Sequence, residues 1–343
     1  MIKINKNLIF SSNHRPKIIA EISGNHNGSK NLCIKHILSA KKNGADLVKI
    51  QTYEPQDITF KNVKKFFKLK KGIWKNLDLW NLYKKACTPF AWHGDLFKAA
   101  KDNNIEIFST PFSLRAVDFL EKHKVNLYKI ASCEITDLCL VDRVGQTKKP
   151  VIISTGLANL KEIQKAYRVL KKYHNKIIIL HCVSAYPTNL EEANIERIDY
   201  LKNAFKNNLI GLSDHTNNIL SSLAASSKRI VAIEKHFKLK NIKSVDSKFS
   251  INEIELKQLR DFTEKIFLSL RSKNKKNSEK QNLLMRRSLY AQSNIKTGEK
   301  ITNKNLISLR PKLGICASNY FKIIGKRAKK NISAWSPIKT NMF

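Results

Sequence analysis

Eight short apolar runs recur along the chain, at 17–23, 45–53, 105–111, 127–134, 150–156, 177–184, 209–215 and 229–237, and nearly all end in charged or hydroxyl-bearing residues. Amphipathic segments of helical length lie between them. A strand followed by a helix, repeated eight times, predicts a (β/α)8 TIM barrel, a fold that gathers its chemistry where the strands end. The run ends carry Glu21, Lys49, Gln51, Thr110, Lys129, Ser132, Glu134, Ser154, Ser213, His215, Lys235 and His236. Few scaffolds other than enzymes need that collection.

A barrel takes roughly 250 residues, and the 343 here leave room for a second, smaller domain. The stretch 271–282 reads RSKNKKNSEKQN, with no apolar residue, and is a linker by composition. The expected division is a catalytic barrel over 1–272, a linker over 273–283 and a small domain over 284–343, with β-prone pieces at 288–292 and 306–309. Within the barrel, Ser29 can cap a helix over 30–43 that Gly44 ends, and 160–173 and 252–270 show the same 3.6-residue period. One interval is long. After the second run comes a basic, aromatic insertion with Phe66, Phe67, Trp74, Trp80 and Trp92, placed to cover the barrel mouth. Its aromatic residues can anchor the loop or touch a substrate.

The net charge of +37 attracts polyanions, which makes nucleic-acid binding a competing reading. Lys, Asn and Ile are abundant throughout, however, and the tail lacks the interleaved aromatic residues of a single-strand binder. Compositional drift explains the charge better, and nucleic acid is not an expected partner. Residues 1–15 hold no long apolar stretch, so neither a secretory signal nor a membrane span is expected. The six cysteines form no C-x-x-C pair and are expected to be buried, reduced thiols of a cytoplasmic protein.

His215 and His236 end the seventh and eighth runs, and adjacent strands would bring both imidazoles to one divalent metal; their separation in sequence alone suggests no such pairing. Lys49, Lys129 and Lys235 are costly to bury alone, so they bind an anion or one of them forms a Schiff base. Thr110, Ser132, Ser154 and Ser213 with Lys129 make a bowl of donors suited to phosphate. Glu21 and Glu134 can pair with lysines. Glu134 follows Ser132 on the period of a strand, which would aim both at the same site.

The strings that carry these residues are Ala20-Glu-Ile-Ser-Gly-Asn-His-Asn-Gly, Val48-Lys-Ile-Gln-Thr-Tyr, Ser109-Thr-Pro-Phe, Tyr128-Lys-Ile-Ala-Ser-Cys-Glu, Ile153-Ser-Thr-Gly, Gly211-Leu-Ser-Asp-His-Thr and Ile233-Glu-Lys-His-Phe. They resemble the sialic acid synthase family, in the family's order over nearly the whole chain. Arg286-Arg-Ser-Leu-Tyr and Leu309-Arg-Pro-Lys-Leu-Gly-Ile resemble that family's C-terminal antifreeze-like (SAF) domain. The resemblance implies condensation of phosphoenolpyruvate with an open-chain N-acetylated amino sugar, giving a nine-carbon 2-keto acid and phosphate. It implies that Glu21, Glu134, Lys49, His215 and His236 serve the chemistry, with Mn²⁺ or Mg²⁺ on the two histidines. Lys129 and the hydroxyls would hold phosphate, and Lys49 the carboxylate end. Ser184 and Tyr186 match positions that line the phosphoenolpyruvate site, and Gln51 and Asp246 match substrate contacts. Arg310 matches an arginine that one subunit inserts into its partner's barrel, implying a domain-swapped homodimer. Ile50-Gln-Thr-Tyr53 is most similar to the pseudaminate-forming branch, whose substrate is a 2,4-diacetamido-2,4,6-trideoxy sugar; the neuraminate- and legionaminate-forming branches are the alternatives. Departures from the family pattern fall at Gly24, at Lys312 and in the loop 241–250, which lacks a Gly-Pro before Asp246.

Overall fold

The first ten residues, too short to show any period, pair as an antiparallel hairpin of β1 (Ile2–Lys3) and β2 (Ile9–Phe10). In this computed structural model, which describes residues 1–61, 68, 69, 72–75, 77–271 and 277–343, the hairpin leads into eight parallel strands. These are β3 (Lys17–Glu21), β4 (Leu47–Thr52), β5 (Glu106–Pro111), β6 (Tyr128–Ile130), β7 (Val151–Ser154), β8 (Ile177–Cys182), β9 (Leu209–Asp214) and β10 (Ala232–His236). They close into a barrel, β10 pairing with both β9 and β3. Most strands are shorter than the apolar run that announces them. The largest difference is at β6, where the run to Glu134 leaves the strand at Ile130 and enters a turn over 132–136.

Both faces of this sheet are buried, which is why the strands read as near-continuous apolar runs. Ile18, Ala20, Val48 and Ile50 point outward and pack against Ile37 and Ala40 of the helix Lys30–Lys42. That helix starts where Ser29 Oγ accepts from the Leu32 N–H (3.3 Å), and Gly44, with φ +97°, turns the chain away after it. Inward, Ile19, Leu47, Phe108, Leu127, Ile152, Leu180 and Ala232 form a second core with Ile2, Leu8 and Phe10 of the hairpin. Gly211 makes room for it, since a Cβ there would lie 2.5 Å from Leu180 Cδ2. Two residues further along the strands, the inward positions turn polar: Glu21, Lys49, Thr110, Lys129, Ser154, Cys182, Ser213 and Glu234. The period of two places all eight above the apolar floor.

The chain divides into two compact units, Met1–Arg271 and Ser272–Phe343. In the second, β11 (Ser288–Ala291) pairs antiparallel with β12 (Leu306–Leu309) over a core that includes Leu289, Ile301, Ile323 and Ile338. Phe66 and Phe67 lie outside the described residues. All six cysteines are free, but only Cys33 and Cys182 are buried; Cys133 and Cys139 sit on exposed turn and helix positions, against the expectation of burial. Among the described residues no helix is long and apolar enough to cross a membrane.

Candidate active site

The polar layer alternates in charge. Glu21 pairs with Lys49, whose Nζ also lies 3.7 Å from Glu234 Oε1 and donates to Thr110 Oγ1 at 3.1 Å. Glu234 Oε1 stands 3.8 Å from Lys129 Nζ and accepts from Ser213 Oγ at 3.2 Å. Lys129 in turn donates to Ser154 Oγ at 2.6 Å. One buried carboxylate thus bridges two buried ammoniums. Burial works against both lysines: it pulls Lys129 below the ordinary lysine range despite Glu234, whereas Glu21 and Glu234 together outweigh it at Lys49 and push that group up. Burial likewise pushes Glu21 up to about 7 against the pull of Lys49. Glu21 Oε2 is taken by Lys49, but Glu21 Oε1 and Glu234 Oε2 are buried without a hydrogen-bond partner, so the layer holds spare acceptors.

The hydroxyls gather around a glycine. Ser132 Oγ accepts from the Gly156 N–H at 3.1 Å, and a Cβ on Gly156 would overlap the Ser184 hydroxyl and lie 2.8 Å from Ser132 Oγ and 3.2 Å from Cys182 Sγ. Three strand ends converge there, and the missing Cβ lets the side chains of Ser132, Cys182 and Ser184 close on the Gly156 backbone. Ser132 and Glu134 reach the mouth from the turn after β6, so the strand-period argument for them fails. Glu134 is raised by burial to about 7, partly offset by Lys129, and its Oε2 is buried without a partner.

His215 and His236 meet, with ring centroids 5.4 Å apart. His215 Nδ1 lies 2.8 Å from the Val183 carbonyl, which can only accept, so Nδ1 carries a proton and Nε2 is the nitrogen left to face a ligand. Burial, with His215 and Lys49 nearby, holds His236 well below the usual histidine range, and its Nδ1 is buried without a partner. Burial opposes charge on His215, but Cys182 and Glu234 outweigh it and push the group above the usual histidine range, so an ion there would have to displace its Nε2 proton. Two imidazoles, each with one nitrogen uncommitted to protein, fit a divalent ion. Among the described residues no third His, Cys, Asp or Glu completes a protein cage, so the set suits an open site finished by water or substrate oxygens. Lys235 is not part of the mouth. Its register on β10 is one residue from His236, which turns it to the outer face, where its Nζ meets Asp214 Oδ2 at 3.0 Å.

Next to His236, past the ends of β3 and β4, Gln51 Nε2 donates to Ser23 Oγ (3.0 Å), which donates to Asp246 Oδ2 (2.6 Å). Tyr186 packs tilted against His215, ring centroids 4.4 Å apart, and meets Phe249 edge to face at 5.1 Å. Trp74, from the insertion, donates to the Val245 carbonyl at 2.9 Å and packs on both rings, which gives it an anchoring role. Arg310 belongs to the other unit, exposed just past β12.

Residues 36–275 match the NeuB family, and residues 286–343 match the SAF domain. The chain is 39% identical over 338 residues to the pseudaminic acid synthase of Campylobacter jejuni strain 81-176, spanning 97% of this chain and 98% of that protein. The chain belongs to the NeuB family. It is also 39% identical to the N,N'-diacetyllegionaminic acid synthase of Campylobacter jejuni strain NCTC 11168, over 92% of this chain and 96% of that protein. A crystal structure of the N-acetylneuraminic acid synthetase of Leptospira borgpetersenii, in complex with citrate, superposes with TM-score 0.74 at 30% identity, covering 82% of this chain and 95% of that one.

Two departures from the NeuB pattern explain each other. A Cβ on Gly24 would lie 2.5 Å from Val245 Cγ2 and 3.0 Å from Ala86 Cβ, so glycine makes room for the valine that stands before Asp246. The Gly24 N–H also donates to Asp246 Oδ2 at 2.9 Å, holding the carboxylate in place. Glu234, Gly156, Cys182, Ser23 and Asn25 are absent from the expected set. Asn25 is buried and ties Phe237 O to Ser250 Oγ, each at 2.9 Å. The parity of β10 was signal enough to find Glu234: once His236 faces inward, residue 234 does too.

Proposed function

We propose that this NeuB-family enzyme is a pseudaminic acid synthase, condensing phosphoenolpyruvate with 2,4-diacetamido-2,4,6-trideoxy-L-altrose. The observation that carries the reading is the buried Lys49–Glu234–Lys129 row, in one layer with the hydroxyls packed around Gly156 and with the histidine pair. Lys129, Ser154, Ser132 and Ser184 bind the phosphate, Gly156 letting the hydroxyls of Ser132 and Ser184 draw close to each other. Lys49 and Thr110 bind the carboxylate. Carbon 3 of the enol attacks the sugar aldehyde, whose oxygen gains a proton; water adds at carbon 2 and phosphate departs. Ionised Glu134 faces the cation that develops at carbon 2 and lowers its energy. Mn²⁺ or Mg²⁺ on His215 and His236 supplies Lewis-acid polarisation of the aldehyde when bound. Gln51 and Asp246 orient the sugar, while Tyr186, Phe249 and Trp74 offer an apolar wall that suits a 6-deoxy end. Ile50-Gln-Thr-Tyr53 and the named Campylobacter synthase favour pseudaminate over legionaminate and neuraminate.

In the same reading the enzyme acts in the cytoplasm as a domain-swapped homodimer. The second unit supports this with Leu313, Phe321 and Trp335 exposed, as Arg310 is, leaving apolar side chains for a partner's barrel to cover. The test offers phosphoenolpyruvate with each candidate sugar and Mn²⁺, following phosphate release and product mass. The highest kcat/KM is expected with the altrose derivative. Preference for N-acetylmannosamine overturns the sugar assignment, and borohydride trapping of substrate on Lys129 with full activity in EDTA overturns the mechanism.

A further inference from the structure

Behind the histidines, on the helix-facing side of the barrel, lies a second buried ion pair that the proposed chemistry does not use. Lys235 and Asp214 stand opposite each other in the register of β10 and β9, each immediately before a histidine, and both side chains are almost fully buried. Lys235 Nζ contacts Asp214 Oδ2 (3.0 Å) and donates to the Thr216 carbonyl (2.6 Å). Asp214 Oδ1 accepts from the Thr216 N–H (2.9 Å) and hydroxyl (2.8 Å), and its Oδ2 accepts from Ser222 Oγ (2.6 Å). The residues on both sides of His215 are therefore tied to one ammonium, and that ammonium belongs to the neighbour of His236. Replacing a buried pair by apolar side chains is often neutral or stabilising, so stability alone is a weak reason for this one.

We infer that Asp214 and Lys235 are positioning residues: they lock β9 and β10 in register so that His215 and His236 present their free nitrogens to a single divalent ion. The inference rests on the metal reading above. The physical logic is that an ion bound by only two protein nitrogens is sensitive to their separation. The strands that carry them end in loops, and a small slip of one strand end moves its imbalance straight to the imidazole. The contact from His215 Nδ1 to Val183 O fixes the ring's tautomer; the buried pair fixes the backbone from which it projects.

The test measures Mn²⁺ binding to the metal-stripped full chain by electron paramagnetic resonance of the free ion, for the parent, Lys235→Met, Asp214→Asn and His236→Ala. Expected results are a loss of Mn²⁺ affinity on the order of tenfold or more in Lys235→Met and a smaller loss in Asp214→Asn. Phosphoenolpyruvate binding to the same metal-free proteins, read by calorimetry, should stay within about twofold of the parent, at the scatter expected of distant sites. Asp214→Asn keeps the shape of the side chain and carries the comparison if Lys235→Met does not fold. Lowered melting temperatures with unchanged Mn²⁺ affinity in both variants would make the pair merely structural and overturn the inference. A parent that binds no Mn²⁺, or a His236→Ala variant that binds it as tightly, removes the metal reading first and the inference with it.

Discussion

Replacing Glu234 by glutamine preserves its shape and removes the one charge between Lys49 and Lys129. Its Oε1 lies 3.7 Å and 3.8 Å from the two ammoniums. At an effective dielectric constant of about 20, unit charges at that distance attract by about 4 kcal/mol. Lys49 keeps Glu21, but among the described residues Lys129 has no other carboxylate within ion-pair distance. The loss therefore falls on Lys129, which burial already holds below the ordinary lysine range. Without the carboxylate that raises it, the ammonium sheds its proton at lower pH, and the phosphate site loses its charge. The alkaline limb of kcat/KM for phosphoenolpyruvate should move to lower pH, with the value near pH 8.5 falling by more than about tenfold, a loss of about 1.4 kcal/mol or more. Urea unfolding should show a destabilisation of about 3 kcal/mol, the usual cost of breaking a buried pair. Initial rates of phosphate release from about pH 6 to about pH 10 decide the matter. An alkaline limb that stays where the parent has it, with KM for phosphoenolpyruvate unchanged, refutes the reasoning.

Glu134 titrates near 7 in the folded chain against 4.5 when free, so the native state holds the extra proton and loses stability as pH rises through 7. Glu134→Gln should unfold at higher urea than the parent near pH 8, by about 2 kcal/mol, with the gap closing toward pH 4.5, while kcat drops by on the order of a hundredfold; equal stabilities at both pH values would contradict the burial argument. Gly156→Ala puts a methyl group onto the Ser184 hydroxyl and should raise KM for phosphoenolpyruvate far more than KM for the sugar, measurable with the same phosphate assay. Arg310→Ala should bind phosphoenolpyruvate normally and use the sugar poorly. Mixed and refolded with Glu134→Gln, it should regain activity through hybrid dimers, and no recovery would argue against an exchanged tail.

The barrel was legible because strands buried on both faces leave long apolar runs, and because a period of two makes each inward residue predict the next. Lys49, Lys129 and His236 followed from that. Lys235 obeys the same parity, since a lysine beside an inward histidine must face outward, and its charge carries no information about which face it takes. The end of β6 was hidden, since Ile130-Ala-Ser-Cys-Glu-Ile contains neither glycine nor proline to mark the turn that carries Ser132 and Glu134. Trp74 and Val245 are separated by 171 residues and joined by one hydrogen bond, a relation no local pattern encodes. The hairpin strands, two residues each, are shorter than any period.

That hairpin has a practical consequence. Phe10 is wholly buried beneath the barrel with Ile2 and Leu8, stoppering the end opposite the reaction. Reactants, products and protons accordingly share a single doorway, and the ionised side chains above the stopper are shielded from bulk water below. Removing the first ten residues would unseat that seal, whereas Met1 itself points to solvent and an extension there leaves Phe10 in place.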